Sequence, residues 1–378
     1  MSKKRIAALE YIRGISMLGV IGIHTGAYSL SNPKVNIHLF ALLEIVSRFS
    51  VPIFFFVSAF GLFLNQDLTS KLNYLSFMSR RARTVFIPYF VWSILYMMHY
   101  TLLNRDFSIW IPTLLYEYLL FGLASSQLYF LVILLWFYAL MPVWRLMVRY
   151  IIKHPLRNLS ILLLLQIIFN YYSSYLLKAD TSSLYLNKLL SYRLNYWVLH
   201  YLFIFLFGAV CAVQYSAFEQ MTNRYQQQIK IFFYLTLAGM LSFYYYLLYA
   251  SHYTPEQAVH TAHQLSPIGV LYTLASALFL FMVFNKGQMP YIITALLASL
   301  GKHSYVVYLV HLFIMYYLTD YLTGQNLMMT APTVIVFYLV TTMLSLAFAL
   351  FICKISSFFP IISLLLTGSS LPKQKSGV

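Results

Sequence analysis

The sequence predicts an all-α fold: a polytopic membrane helix bundle of about ten transmembrane helices, with N- and C-termini cytoplasmic. Three observations carry this expectation, namely the composition, the spacing of the apolar stretches and the distribution of Lys and Arg. Of 378 residues, 61% are hydrophobic, 19% aromatic and only 9% charged, and the mean hydropathy is +0.74. A soluble domain carries roughly 25% charged residues, so a solvated globule of this composition would lack the polar surface to stay dissolved. Cys211 and Cys353 both lie in apolar runs. They leave no disulfide framework and no zinc, haem or iron–sulfur spacing, so no metal is expected.

Crossing about 30 Å of hydrocarbon takes about 20 mostly apolar residues. Ten stretches qualify, over 7–29, 38–64, 84–103, 127–148, 158–177, 196–216, 230–250, 266–285, 301–322 and 332–353. The first is too long for a signal peptide, contains Arg13 and lacks a small-residue cleavage site, so it is expected to stay as a span. Direction follows from the basic residues. The net charge of +16 would suggest nucleic acid in a soluble protein, but here Lys and Arg sit in short loops, and no nucleic-acid partner is expected. With the N-terminus inside, eighteen basic residues fall in inner segments and five (Lys34, Arg105, Lys178, Lys188, Arg193) in outer ones, which favours both termini inside. The apolar segment 109–123 is too short to span and is bounded by Pro112 and Gly122, so it reads as an interfacial or re-entrant helix on the outer face. Pro290–Leu300 reads as a short amphipathic piece on the inner face before the ninth span. No repeat or linker separates a second domain. The expected organisation is one domain, 1–368, and a short basic disordered tail, 369–378. The 34 Tyr and 31 Phe read chiefly as interfacial anchors, with stacking against sugar rings as the other use of Tyr runs such as 244–246.

The polar residues inside the spans are the strongest local signal. An ionisable group at membrane depth is costly unless it is paired or faces water, which makes each one a candidate functional residue. Glu10, Arg13 and His24 lie in the first span, Glu44 and Arg48 in the second. Arg13 and His24 are eleven residues apart, close to three turns, so they share a helix face about 16 Å apart along the axis. Glu10 precedes Arg13 by one turn and can pair with it. The second span runs the opposite way, which brings Glu44 to about the depth of His24, with Arg48 one turn deeper. A carboxylate beside an imidazole holds its tautomer and stabilises its protonated form, as a general base needs. The alternative is that the two acid–arginine pairs only lower insertion cost and fix helix packing. His99 and His200 read as helix-to-helix hydrogen bonders.

The arrangement Arg13, ten residues, His24 resembles the signature of the acyltransferase 3 family of integral membrane acyltransferases, whose surface-polysaccharide O-acetyltransferases it is similar to. Four further stretches agree in order. Arg48-Phe-Ser-Val-Pro-Ile-Phe-Phe-Phe-Val-Ser-Ala59 is similar to the family's second-span segment, and Arg80-Arg-Ala-Arg-Thr-Val-Phe-Ile-Pro-Tyr89 to its basic loop before the third. Gln127-Leu-Tyr-Phe-Leu131 with Pro142 resembles the span-four motif, and Gly301-Lys-His-Ser-Tyr-Val-Val-Tyr-Leu-Val-His311 the late-span motif. Three departures stand beside them: Ala59 where the family often has glycine, Gln127 and Tyr129 where it often has histidine and tryptophan, and an unusual distance from Arg80 and Arg83 to Pro88.

The resemblance implies transfer of an acyl group, usually acetyl, from cytoplasmic acetyl-CoA or another acyl-CoA to a hydroxyl of a cell-surface or cell-wall glycan, in a bacterial plasma membrane. In that reading Arg80, Arg81 and Arg83 bind coenzyme phosphates, Arg making bidentate contacts, although a basic inner loop is also plain topology. Arg13 polarises the thioester carbonyl or holds the pantetheine arm, and His24 deprotonates the acceptor, assisted by Glu44 and Arg48. Ser58, Tyr305, His311 and Gln127 are the expected cavity residues, with polar packing as their alternative role. No second, hydrolase-like domain is expected after the last span, so the chain acts on the glycan acceptor directly or through a separate extracytoplasmic transferase. The competing function is a glycan or lipid-linked sugar exporter or flippase component.

Overall fold

The computed structural model describes residues 6–356 and 358–368. The expected tail lies outside the described residues, as do Lys3, Lys4 and Arg5, which counted toward the expected direction. The chain is all-helical, 81% helix with no strands among the described residues. In chain order the helices are α1 (Ala7–Ser29), α2 (Ile37–Glu44), α3 (Ser50–Phe63), α4 (Tyr74–Arg81), α5 (Ile87–Asn104), α6 (Pro112–Phe121) and α7 (Tyr129–Ala139). They continue with α8 (Met141–Ile151), α9 (Pro155–Tyr171), α10 (Leu184–Ser191), α11 (Arg193–Tyr196), α12 (Leu202–Val213) and α13 (Tyr215–Arg224). The last are α14 (Gln226–Tyr249), α15 (Pro255–Thr261), α16 (Pro267–Asn285), α17 (Tyr291–Gly324), α18 (Ala331–Ser356) and α19 (Pro360–Thr367). Local chemistry explains many boundaries. Pro112, Pro155, Pro255, Pro267 and Pro360 each open a helix, where the missing N–H costs nothing. The Asn36 side chain accepts from the backbone of His38 and Leu39, and Thr254 with Gln257 forms a capping box.

Among the described residues, seven helical segments are long and apolar enough to cross a membrane: Ile37–Phe63, Tyr74–Asn104, Pro155–Leu176, Gln226–Tyr249, Pro267–Asn285, Tyr291–Gly324 and Ala331–Ser356. Two bent pairs raise the number to nine if each is one crossing. Tyr129–Ala139 and Met141–Ile151 bend by 71°, and Val198–Val213 and Tyr215–Arg224 by 101°. Pro142 sits at the first bend, where it cannot donate to the carbonyl of Tyr138. The ten expected stretches fall on these nine elements and α1. With Glu10, Arg13 and His24 among its 23 residues, α1 is not in the apolar set.

Two expectations about short segments fare differently. The 109–123 region forms α6, ten residues and about 15 Å long, well short of a crossing. Pro290–Leu300 is not a separate piece. From Tyr291 it is the opening of α17, a single 34-residue helix, because Gly301 serves close packing instead of ending the helix.

The contacts group the chain into two compact units. The first comprises Met1–Leu68, Trp144–Leu177 and Leu199–Ser345, and the second Thr69–Val143, Lys178–Val198 and Leu346–Val378. In the first unit α1 packs against α17, α3, α2 and α16. Gly14 of α1 lies against the backbone carbonyl of Leu297, and Gly301 of α17 against that of Glu10. Neither position has room for a Cβ, so two small residues let the backbones of α1 and α17 approach closely, the usual device between membrane helices. In the second unit α19 packs on α5, where the Trp92 indole donates to the Leu366 carbonyl (3.1 Å).

Candidate active site

More than half of α1 is buried, including Gly14, Ser16, Gly19, Gly22, Thr25 and Gly26. Its neighbours are protein helices, which is how a helix with two charges and an imidazole avoids a lipid-facing polar surface. Gly19, Gly22 and Gly26, spaced i, i+3 and i+7, meet the next segment at Ser50, Leu43 with Ser47, and Glu44. A Cβ at Gly26 would stand 2.6 Å from Glu44 Cγ. The glycine therefore seats Glu44 against α1, two residues from His24.

The segment Ile37–Phe63 changes geometry at this level. Between α2 and α3 lies a 3₁₀ turn, Val46–Phe49, just before Pro52. Pro52 has no N–H for the Arg48 carbonyl, and Ser50 N bonds to Ser47 O in the 3₁₀ pattern. The Val46 carbonyl is satisfied instead by the Tyr272 hydroxyl (2.7 Å). Short 3₁₀ stretches inside helices often mark functional positions.

Here Arg48 donates to the Glu44 carboxylate at 2.8 Å, with side-chain exposures of 13% and 4%. Arg48 also reaches Gln264 Oε1 (3.5 Å), and Gln264 Nε2 donates to the Tyr201 hydroxyl (3.3 Å). Gln264 and Tyr201 line a cleft of about 260 Å³ together with Pro52, Gln166, His200 and Thr273. The Gln166 side chain is engaged with Asn170, the Leu199 carbonyl and the Phe203 amide. His200 meets Ser173 at 2.8 Å, the helix-to-helix contact expected of it. The buried Thr273 hydroxyl has no hydrogen-bond partner among the described residues.

His24 meets α17. Its ring lies 5.2 Å from that of His311, tilted by 50°, and His311 also touches the Tyr308 ring at 5.8 Å. His311 is fully buried. Its Nδ1 lies 2.7 Å from the Tyr308 carbonyl and 3.2 Å from that of Val307. Arg13, farther toward the start of α1, is half-buried, with Nη2 3.8 Å from where a Cβ on Gly61 would sit. Ser58 is on that face of α3, one turn earlier.

The expected residues thus separate into groups. In the first unit, Glu44 pairs with Arg48, His24 meets His311, and Arg13 faces the Ser58–Gly61 side of α3. Tyr305 is six residues from His311, about 120° around α17, and it is Tyr308 that reaches the histidine. In the second unit, Gln127 is buried and donates to the Tyr96 hydroxyl (3.0 Å). The three loop arginines are not equivalent. Arg81 lies over the rings of Phe77 and Tyr138, 5.2 and 5.0 Å from their centroids, a cation–π arrangement. Arg80 and Arg83 are exposed, one turn apart, where α4 passes into a π-helical turn, Ala82–Phe86. Gly26, Tyr308, Tyr272 and Gln264 do not stand out by residue type. The glycine spacing on α1 is the signal the sequence did carry.

The sequence profile of the acyltransferase 3 family, described as an acyltransferase domain, matches residues 6–353. The chain belongs to the acyltransferase 3 family. It is a membrane acyltransferase, and the family match takes in both histidines, the Glu44–Arg48 pair and all three loop arginines. Helix α19 lies beyond the matched residues. No curated protein and no solved structure matches the chain.

Proposed function

We propose that this acyltransferase moves an acyl group, acetyl in the simplest case, from a cytoplasmic acyl-CoA to a hydroxyl of a cell-surface or cell-wall glycan. The reading takes α1 as a tenth crossing, with both termini on the cytoplasmic side of a bacterial plasma membrane. The observation that carries it is the pair of polar stations on one helix: Arg13 beside the Ser58–Gly61 side of α3, and His24, about 16 Å farther along α1, against His311. A helix that presents a guanidinium and an imidazole at two depths suits a donor and an acceptor that arrive from opposite sides.

In this reading Arg80 and Arg83 hold coenzyme phosphates through charge-assisted hydrogen bonds, while Arg81 is kept by its aromatic neighbours. Arg13 holds the pantetheine arm where it enters the bundle, so that the thioester extends along α1 toward His24. His24 removes the proton of the acceptor hydroxyl as that oxygen bonds to the carbonyl carbon. The carbon–sulfur bond then breaks and the thiolate leaves, taking the proton from the His24 imidazolium. Atoms and charge balance, with an ester and a free thiol as products. The cleft offers the Thr273 hydroxyl and the Gln264 amide to hydroxyl groups. The Glu44–Arg48 pair adjoins it through Gln264.

The test is transfer of labelled acetyl from acetyl-CoA to membrane glycans by wild type and by His24→Ala. Wild-type transfer with a loss of about 10²–10⁴-fold in the variant is expected. Full transfer by His24→Ala removes the base assignment, and loss of surface glycan without any acyl transfer by wild type supports export instead.

A further inference from the structure

The general base of the proposed reaction needs a partner for its second ring nitrogen, because an imidazole held in one tautomer presents a lone pair in a fixed direction. Residue spacing points to Glu44 for this task. The carboxylate, however, accepts from Arg48 at 2.8 Å and lies against Gly26. The ring that faces His24 is that of His311.

The His311 environment fixes its own tautomer. Its Nδ1 approaches two backbone carbonyls, of Tyr308 at 2.7 Å and Val307 at 3.2 Å. A carbonyl oxygen only accepts, so Nδ1 carries the hydrogen, and in the neutral ring Nε2 is left as a lone pair. That Nε2 is buried and has no hydrogen-bond partner among the described residues. A buried acceptor without a donor is costly, and the imidazole in contact with it among the described residues is that of His24. Packing alone does not call for this arrangement, since a leucine of similar volume would fill the space without stranding an acceptor.

We propose that His311 is the positioning residue for His24. Its Nε2 accepts the N–H of His24, so the other His24 nitrogen is presented as the lone pair that takes the acceptor's proton. The proposal rests on the reading of His24 as base. When His24 becomes an imidazolium, one N–H stays with His311 and the other holds the proton that returns to the departing thiolate. Catalytic hydrogen bonds are often long without substrate and tighten when it binds, which matches two rings in contact whose nitrogens are not yet bonded.

The experiment compares His311→Leu, which keeps the volume and removes the acceptor, with His311→Gln, whose amide oxygen stands near the position of Nε2. In acetyl transfer by the full-length protein in lipid bilayers, His311→Leu is expected to lower kcat about 100-fold or more, with KM for acetyl-CoA changed by less than about twofold. His311→Gln is expected to stay within about tenfold of wild type. Equal loss in both variants, or no loss in His311→Leu, overturns the proposal. A second measurement does not depend on turnover: solid-state spectra of protein labelled with 15N-histidine. One His24 tautomer is expected in wild type and His311→Gln and a mixture in His311→Leu, and a single unchanged tautomer in His311→Leu overturns the proposal. Absence of acyl transfer by wild type counts against the proposed function, while these spectra still decide the His311 role.

Discussion

Beside α1 the Glu44 and Arg48 side chains are enclosed and committed to each other, whereas around α4 the arginines are exposed except for one. Glu44 and Arg48 pair inside helix-lined surroundings, and the bare backbone of Gly26 makes room for the Glu44 side chain against α1. Arg80 and Arg83 are exposed, whereas Arg81 lies over two aromatic rings. The difference follows from dielectric surroundings. A charge inside the bundle must be paired to be tolerated, while a charge at a helix end outside the hydrocarbon stays solvated and available to a soluble anion. Fixed groups suit chemistry that needs alignment within a fraction of an ångström, and mobile groups suit capture of a charged, flexible coenzyme.

Breaking the pair in the first region gives the largest expected effect. Glu44→Leu strands the buried Arg48 charge and is expected to cost about 3–5 kcal/mol, read as a fall in thermal stability of the purified protein in detergent. Glu44→Met with Arg48→Met recovers most of that stability, and a double variant as unstable as the single one would show that the pair is more than a compensated charge. Next comes the helix crossing: Gly301→Val pushes a side chain into the Glu10 carbonyl and is expected to cost about 3 kcal/mol, by the same measurement.

Smaller effects belong to the second region. Arg80→Ala and Arg83→Ala are expected to raise KM for the acyl-CoA by about 10- to 100-fold each, from loss of about 1.5–3 kcal/mol of charge-assisted bonding, with stability unchanged. Arg81→Ala is expected to leave KM alone and cost about 1 kcal/mol of stability through the lost ring contacts. An Arg81→Ala phenotype in KM would erase the distinction drawn between the three arginines. The smallest effect concerns Glu117, whose carboxyl is held below the usual range first by its hydrogen bond from Lys188, at 2.5 Å between α6 and α10. A lowered folded-state pKa contributes stability above the ordinary carboxylate range and loses it as pH falls through that range. The Lys188 side chain is 45% exposed, so the expected loss on acidification is well under about 1 kcal/mol, and Lys188→Ala should abolish it in a pH series of melting temperatures.

Much of the fold was legible because membrane helices announce themselves by length and hydropathy, and the ten expected stretches coincide with helices or bent helix pairs. The 34-residue length of α17 was not legible, since Pro290–Leu300 reads as a separate amphipathic piece until Gly301 is seen packed against the α1 backbone. The site was legible as a list of residues. Glu10, Arg13, His24, Glu44 and Arg48 stand out because polar groups are rare at that depth, and the family motifs point to Arg80, Arg83 and His311. Which of these touch was not legible, because helix rotation and crossing are set by contacts between segments far apart in the chain.

By itself the sequence determined an all-helical membrane protein, the family's motifs and the shared face of Arg13 and His24, since each depends on composition or on spacing within one helix. Only the tertiary structure decided that Arg81 is stacked away from its neighbours and that His24 faces His311. Those pairings join α1 to α17 across nearly three hundred residues, or α4 to α7 across more than fifty, and no periodicity along a single helix encodes which partner a side chain meets.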